Sequence, residues 1–273
     1  MRLSGLPAAR ALLINLTLRE NRSKYKRSAL GWAWSMINPF STMLIFAFVF
    51  GVILKIPPPV GDPSGLQNFG FFIIAGLLPW NFLAAGLTGS SASVIGNAGL
   101  IKKVYFSRAV LPAASVLSWL THLLIELSVL SLALLVAGRI VFLYLPAAIV
   151  VIALQFFFVL GIGLALAALN VYFRDVEHLL QILLLLWFYA TPIIYPVERV
   201  PESHVILGFD VPIRAIYDLN PMVHFIGAYR DIFYDVRVPS GGEYLLMALA
   251  AGLAMAAGMA IFRRLEARFA EEL

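Results

Sequence analysis

Two pairs of ionisable residues stand out because the members of each pair are four positions apart. His122 and Glu126 lie in an apolar stretch, and Asp231 and Asp235 lie in a more polar one. Residues at i and i+4 share one face of a helix. Inside a membrane span, the His122–Glu126 pair could form part of a proton pathway, or its members could pair with each other or hydrogen-bond a neighbouring helix.

The aspartate pair permits a different chemistry. Two carboxylates at this spacing could hold Mg²⁺ against a diphosphate, as in a membrane enzyme that transfers prenyl groups. Such an enzyme would need a second cluster of the same kind, and the sequence has none. We therefore interpret Asp231 and Asp235 as part of a solvated helix surface.

The common sequence motifs of enzyme active sites are absent from the sequence. There is no G-x-x-x-x-G-K-[ST] phosphate loop, no H-E-x-x-H and no G-x-S-x-G. The lack of cysteine excludes disulfides, thiolate metal sites and cysteine nucleophiles. We expect no catalytic residue, no metal site and no bound cofactor in this chain, and we expect that it does not hydrolyse ATP by itself.

The elements that must position these residues are predicted by composition. Of the 273 residues, 61% are hydrophobic and 13% are charged, and the mean hydropathy is +0.90. These values lie outside the range of soluble proteins. The basic residues sit in short segments beside apolar stretches, so contact with anionic lipid explains the net charge of +5 better than nucleic acid does. The composition predicts an all-α, polytopic membrane protein.

Six apolar stretches are predicted to cross the bilayer. They cover residues 36–54, 69–95, 110–137, 141–169, 179–195 and 244–262. Pro79 predicts a kink or break in the second stretch, and the fifth is unusually short. Gln155, in the fourth, is expected to bridge helices.

The distribution of basic residues orients these spans. Fourteen of the 20 Lys and Arg residues fall in segments 1–35, 97–108, 170–178 and 263–273, which places both termini in the cytoplasm. Residues 1–35 are predicted to form an amphipathic helix on the inner membrane surface, with Ala9, Leu12, Leu13 and Leu16 on its apolar face. Residues 36–262 form the transmembrane domain and residues 263–273 a cytoplasmic tail.

An outer insertion is predicted between the last two spans, at residues 196–243. Its apolar pieces, residues 205–209 and 222–229, are too short to span and lie between Pro and Gly breaks. Such pieces at a membrane face predict interfacial or re-entrant helices.

Aromatic residues are frequent where the second and fifth spans approach the outer side. They include Phe69, Phe72, Trp80, Phe82, Trp187, Tyr189 and Tyr195. Aromatic faces can stack on sugar C–H surfaces, but an interfacial aromatic belt also explains them and is favoured by composition alone.

Five motifs occur in an order that is similar to one family. They are K-Y-K-R-S-A-L-G-W-A-W at 24–34 with I-N-P-F at 37–40, K-K-V-Y-F-S-R at 102–108, N-V-Y-F-R-D-V at 170–176, T-P-I-I-Y-P at 191–196, and L-N-P at 219–221 with A-Y-R at 228–230. This pattern resembles the permease subunits of ABC exporters for bacterial surface polysaccharides and teichoic acids. Ser107 departs from it, since many members have proline there.

The resemblance implies a half-transporter in the bacterial cytoplasmic (inner) membrane. Two copies of the chain would form the pathway, and a separate ABC ATPase subunit would bind ATP and Mg²⁺. The substrate would be a polyprenyl-diphosphate-linked polysaccharide, such as an O-antigen, a galactan or a teichoic-acid-like polymer. Segment 196–243 would act as an outer gate, and the aromatics listed above would line the conduit.

The resemblance also implies which residues contact the ATPase. The interface helix would contribute Arg22, Lys24, Tyr25 and Arg27, and the inner connections Lys102, Lys103, Tyr105, Phe106, Arg108, Arg174 and Asp175. Three alternatives remain open: an ABC permease for drugs or lipids, a membrane-embedded transferase acting on polyprenyl lipids, and a proton-coupled carrier.

Overall fold

The computed structural model describes residues 6–24, 33–104, 106–206 and 209–273, and these are almost entirely helical. The helices are α1 Leu6–Lys24, α2 Trp34–Phe46, α3 Phe69–Ser93, α4 Ala98–Ile101, α5 Val110–Val136, α6 Leu145–Tyr172, α7 Val176–Tyr189, α8 Ile213–Asp218, α9 Pro221–Arg230, α10 Gly241–Leu265 and α11 Phe269–Glu272. Helix α2 continues as a π-helical segment, Ala47–Ile53, and α9 continues as another, Asp231–Asp235. Short 3₁₀ turns occur at Ile95–Asn97, Phe142–Tyr144, Val197–Arg199 and Glu266–Arg268.

Four helical stretches of the described residues are long and apolar enough to cross a bilayer. They are Phe69–Ser93, Val110–Val136, Phe142–Tyr172 and Gly241–Arg268, and they correspond to the second, third, fourth and sixth predicted spans. Two shorter apolar helices, Phe40–Ile53 and Val176–Tyr189, coincide with the first and fifth. The prediction of a helical membrane protein is confirmed, and the count of six crossings stays a prediction.

Helix α3 occupies the centre of the bundle. Most of its apolar segment is buried within the chain, whereas most of the apolar segment of α10 is not. The helix is continuous from Phe69 to Ser93, which excludes a break at Pro79, whereas the kink stays a prediction. Gln155 Nε2 of α6 donates a hydrogen bond to Pro79 O at 2.8 Å and so joins α6 to α3 at this position.

Helices α6 and α10 pack with their backbones in close contact. A Cβ atom at Gly258 would overlap the carbonyl of Gly161, and one at Gly161 would overlap the backbone of Ala254. Small residues allow this approach, and van der Waals contact of this kind holds helices together in membranes.

The bundle has two chemically different ends. The basic end comprises residues 94–109, 173–175 and 265–273. The re-entrant end comprises residues 54–68, 137–144 and 190–240. The α5–α6 connection at the re-entrant end is a tight turn in which Gly138 has φ +79°, a conformation that glycine adopts without strain.

A small β-hairpin lies between α7 and α8. Strands β1 His204–Ile206 and β2 Phe209–Val211 pair antiparallel, with Val205 opposite Asp210. The prediction of a helical piece at 205–209 is therefore wrong. Five residues are too few to form a stable helix alone, and the β-branched Val205 and Ile206 favour an extended backbone. The second piece, 222–229, is helical as predicted, within α9.

Candidate functional site

Helix α7 ends inside the bundle. Its 14 residues extend about 21 Å, which is less than the roughly 30 Å of a hydrocarbon core. Near its end, Trp187 contacts Trp80, at the middle of α3, with ring centroids 5.9 Å apart. The helix in the predicted span 179–195 therefore ends at Tyr189, level with the middle of α3, and the carbonyls that follow need donors from elsewhere in the fold.

Asn220 satisfies the first of these exposed groups. Its Nδ2 donates to Ala190 O at 3.1 Å and to Thr191 Oγ1 at 2.9 Å. Its Oδ1 accepts from Trp187 Nε1 at 2.8 Å and from Met222 N at 3.1 Å, which also caps α9. One amide thus joins the end of α7 to the start of α9, and Pro221 suits the first position of that helix.

Arg230, at the other end of α9, satisfies two further carbonyls of this segment. The residue is only 8% exposed, and its Nη1 and Nη2 donate to Pro192 O at 2.7 Å and Ile193 O at 2.5 Å. Its guanidinium also lies 3.7 Å from the ring centroid of Phe72 on α3, a cation–π arrangement. The motifs at 191–196, 219–221 and 228–230, far apart in the sequence, therefore form one hydrogen-bonded unit.

The connection between α2 and α3 packs on the π-helical segment that follows α9. Tyr234 donates from its hydroxyl to Pro59 O and to Leu66 O, the latter at 3.1 Å. Asp62 N donates to Asp235 Oδ1 at 3.1 Å. These contacts join the connection between α2 and α3, the outer connection, to the re-entrant unit, which comprises residues 190–196, α9 and the π-helical segment after it.

Asp231 is buried and Asp235 is half-buried, contrary to the predicted solvated surface. Asp231 is 5% exposed and lies 2.5 Å from Arg237 Nη2, while Asp235 lies 3.6 Å from the same nitrogen. Burial raises the pKa of Asp231 to about 6, although Arg237 acts in the opposite sense. The surface prediction failed because the chain folds back here and packs this turn against α3 and the outer connection. The pair binds an arginine, and the described residues contain no group of three or more metal-ligating side chains.

Two cavities open at the re-entrant end, of about 390 Å³ and 280 Å³, and share Pro59, Pro196 and Glu198. Phe72 lines the larger cavity, and Phe69 and Tyr195 line the smaller one. The remaining predicted conduit residues are placed elsewhere. Trp80 and Phe82 are buried, Trp187 is half-buried in the cluster with Trp80, and Tyr189 is 61% exposed.

The basic end presents exposed charges. Lys102 and Lys103 follow the short helix α4 and are exposed, and no ion pair to either one occurs among the described residues. Arg174 and Asp175 are exposed in the other connection. Of the other residues predicted in these connections, Phe106 is buried, Tyr105 lies outside the described residues, and Arg108 turns inward, where its Nη1 donates to Glu266 O.

Helix α1 packs against α5. Its predicted apolar face is confirmed for Leu16, which is buried, and for Leu12 and Leu13, which pack on the core. Lys24 Nζ donates to Ser118 Oγ at 2.8 Å and lies 3.3 Å from the Trp119 ring centroid; burial lowers the pKa of this ammonium to about 8.

The other predicted interface residues differ in placement. Arg22 is exposed, and Tyr25 and Arg27 lie outside the described residues. Sequence reasoning did not identify Ser118 and Trp119 as partners of α1, although polar residues in an otherwise apolar span are a signal for such contacts.

The polar residues within the predicted spans lie against side chains of the same bundle. Gln155 accepts from Tyr229 Oη at 2.9 Å as well as donating to Pro79 O, which confirms that it bridges helices. His122 is buried, with its ring 5.2 Å from that of Trp119. Glu126 lines a small apolar pocket between α2, α3 and α5.

Together these features define a polytopic helical membrane protein in which a short apolar helix, α7, is joined to α9 by side-chain hydrogen bonds. A family model described as ABC-2 type transporter matches residues 11–234, so the chain belongs to the ABC-2 type transporter family. This confirms the family indicated by the five motifs.

Curated relatives resemble the chain over nearly its whole length. The O-antigen export system permease protein RfbA of Myxococcus xanthus is 31% identical over 265 residues, covering 97% of this chain and 96% of the relative. The protein of the same name from Klebsiella pneumoniae is 32% identical over 264 residues, covering 96% and 95%. The polysialic acid transport protein KpsM of Escherichia coli is 24% identical over 271 residues, covering 96% of each chain.

Proposed function

We propose that this chain is the transmembrane subunit of an ATP-driven exporter that moves a lipid-linked O-antigen type of polysaccharide across the bacterial inner membrane. The observation that carries the proposal is the full-length similarity to permeases named for O-antigen export. The absence of a phosphate loop from the sequence agrees with ATP hydrolysis on a separate subunit.

The proposed topology has six crossings with both termini in the cytoplasm. The segment 34–53 supplies the first crossing, and α7 together with the re-entrant unit supplies the fifth. The excess of basic residues at one end of the bundle supports a cytoplasmic position for that end. The re-entrant end then faces outward and acts as the exit gate.

The proposed docking surface for the ATPase is the basic end. Lys102 and Lys103 are exposed beside a short helix, and Arg174 and Asp175 are exposed in the neighbouring connection. Exposed lysine and arginine side chains suit charge-assisted hydrogen bonds with an acidic groove on the partner. Through these contacts, a movement of the partner can move this chain as a rigid body.

The proposed pathway forms between two copies of the chain. Helix α7 supports this arrangement because it carries an exposed apolar row along most of its length, including Ile182, Leu183 and Leu186. Tyr189, exposed at the end of that row, and Tyr195, at the mouth of the smaller cavity, are the aromatic residues best placed to contact a passing glycan.

The transferase alternative is less well supported. Its chemistry requires Asp231 and Asp235 to face a metal ion, whereas both carboxylates face Arg237.

The decisive experiment deletes the gene in its own bacterium and measures surface polysaccharide after complementation. We expect the wild-type chain to restore export and the Lys102→Ala/Lys103→Ala variant to restore much less than the Asp231→Asn/Asp235→Asn variant.

The opposite order of the two variants would favour the transferase. Unchanged surface polysaccharide in the deletion strain would refute the exporter proposal. Accumulation of each variant in the membrane, measured on the same samples, separates loss of function from loss of protein.

A further inference from the structure

The last residues of the chain contact both connections at the basic end. We propose that this tail, residues 265–273, positions the two connections relative to each other and so sets the geometry of the coupling surface. What docks on that surface rests on the proposed function, but the positioning role is a property of this chain alone.

The first connection is held through Arg108. This residue ends the K-K-V-Y-F-S-R motif, and its Nη1 donates to Glu266 O. Its guanidinium also lies 5.8 Å from the ring centroid of Phe269, within cation–π range. A positive side chain at the edge of a proposed docking loop thus binds inside its own chain rather than extending toward a partner.

The second connection is held through Tyr172, the residue at which α6 ends. Its hydroxyl donates to Leu265 O at 2.9 Å, and its ring lies 6.4 Å from that of Phe269. The exposed Arg174 and Asp175 follow immediately in the chain. The same short tail therefore contacts the first connection at Arg108 and the helix residue that directly precedes the second connection, Tyr172.

Phe269 is the centre of this arrangement. It is fully buried, and its ring meets that of Phe262 edge to face at 5.5 Å. The 3₁₀ turn Glu266–Arg268 folds the chain so that α11 returns onto α6. Full burial of an aromatic ring between Phe262, Tyr172 and Arg108 gives Phe269 a packing role at this end of the bundle.

The tail matters because the two connections lack a direct link. Among the described residues, no hydrogen bond or ion pair joins 94–109 to 173–178, and the hydrogen bond from Asn170 Nδ2 to Ser91 O at 3.0 Å joins only the helices that precede them. Two exposed loops that move independently would transmit a partner's movement poorly, whereas loops fixed to one packed element move as a rigid body. Arg108 and Phe269 are thus positioning residues for the coupling surface.

The test uses the absence of native cysteine to place two spin labels. The labels are attached to two introduced cysteines, Gly99→Cys in α4 and His178→Cys in the first turn of α7, and both positions are exposed. Pulsed electron spin resonance on the full chain in lipid vesicles then gives the distribution of distances between the two labels. We expect a narrow distribution in the parent and a clearly broader one after Phe269→Ala. Glu272→Ala, an exposed residue of the same tail, is the matched control and should leave the width unchanged.

Equal widths for the parent and Phe269→Ala would overturn the inference. If Phe269→Ala does not accumulate, Phe269→Leu, which keeps the apolar volume but removes the ring, gives the same comparison. Arg108→Gln should also broaden the distribution, because the contact with Glu266 and Phe269 loses its positive charge.

A functional measurement separates this inference from the proposed function. With the ATPase subunit co-reconstituted, Phe269→Ala should lower polysaccharide export per ATP hydrolysed by roughly tenfold while the ATPase stays bound. Failure of the parent chain to bind or use the ATPase would refute the proposed function, but the spin-label result would still decide the role of the tail.

Discussion

The two ends of the molecule use most of their polar side chains differently, although Arg108 at the basic end also donates to a carbonyl of its own chain. At the re-entrant end, Asn220, Arg230 and Tyr234 direct their polar groups at backbone carbonyls of the same chain. At the basic end, Lys102 and Lys103 remain exposed. The re-entrant end is built to keep its own shape, and the basic end leaves charges accessible to a partner.

The difference follows from where the backbone ends. Helix α7 stops inside the bundle, and its last carbonyls would cost several kcal/mol each if no donor reached them there. The connections at the basic end lie beside water, which can satisfy the backbone, so the side chains are available for other contacts. The comparison can be tested at each end separately.

The largest effect is expected from Arg230→Met. The substitution keeps most of the apolar stem but leaves Pro192 O and Ile193 O without their donors, so the free energy of unfolding should fall by about 3 kcal/mol. Thermal unfolding in detergent measures this loss. Arg199→Met, at an exposed arginine of the same end, should be close to neutral, and equal losses for the two variants would contradict the role assigned to Arg230.

The next effect is expected at the basic end, in the affinity for the ATPase subunit rather than in the free energy of unfolding. Lys102→Ala/Lys103→Ala should weaken binding of the ATPase subunit on the order of tenfold, about 1.4 kcal/mol, without changing the unfolding midpoint. Titration of the purified subunit measures the affinity. Arg263→Ala/Arg264→Ala removes the same charge from the same end of the bundle, and an equal loss of affinity there would show that net charge alone governs docking.

A smaller effect on stability is expected from Tyr234→Phe. The variant keeps the ring packing against Phe72 but loses the hydrogen bonds to Pro59 O and Leu66 O, which should cost about 1 kcal/mol. Tyr244→Phe on α10 is the control, because no hydrogen bond of that hydroxyl occurs among the described residues. A neutral result for Tyr234→Phe would mean that the outer connection is held by apolar contact alone.

The smallest effect concerns pH. Burial raises the pKa of Asp231 to about 6 from an ordinary value of 3.8, with Arg237, Asp235 and Glu243 as its charged neighbours. A carboxyl with a higher pKa in the fold binds a proton on folding, so its contribution to stability is complete below the ordinary value and is lost as the pH rises through about 6. The unfolding midpoint should therefore rise slightly from about pH 7 to about pH 5, and Asp231→Asn should flatten that change. An unchanged slope in this variant would exclude Asp231 as the titrating group.

Several features of the fold were predictable from local patterns. The long apolar stretches around α3, α5, α6 and α10 were recognisable because each must match the thickness of the bilayer. Gln155 was recognisable as a bridging residue because a buried amide in a span needs partners. The five motifs identified the family, which the family model confirms.

Other features depended on contacts between distant residues. The early end of α7 was missed because residues 190–195 remain apolar, and only Asn220 and Arg230, some 30 to 40 positions away, allow the helix to stop there. The burial of Asp231 was missed because the i, i+4 spacing describes one helix and contains no information on what packs against it. The β-hairpin was missed because each strand has only three residues, and such strands are defined by their pairing, such as that of Val205 with Asp210, rather than by a local pattern.

The sequence by itself determined that this protein resides in a membrane, where its long apolar helices lie and which family it belongs to, because hydropathy and motifs are properties of consecutive residues. Only the tertiary structure decided which polar groups satisfy the chain's own backbone and which remain exposed for a partner. That division depends on which distant segments meet, and a buried carbonyl can be satisfied only by a donor that the fold brings within hydrogen-bond distance.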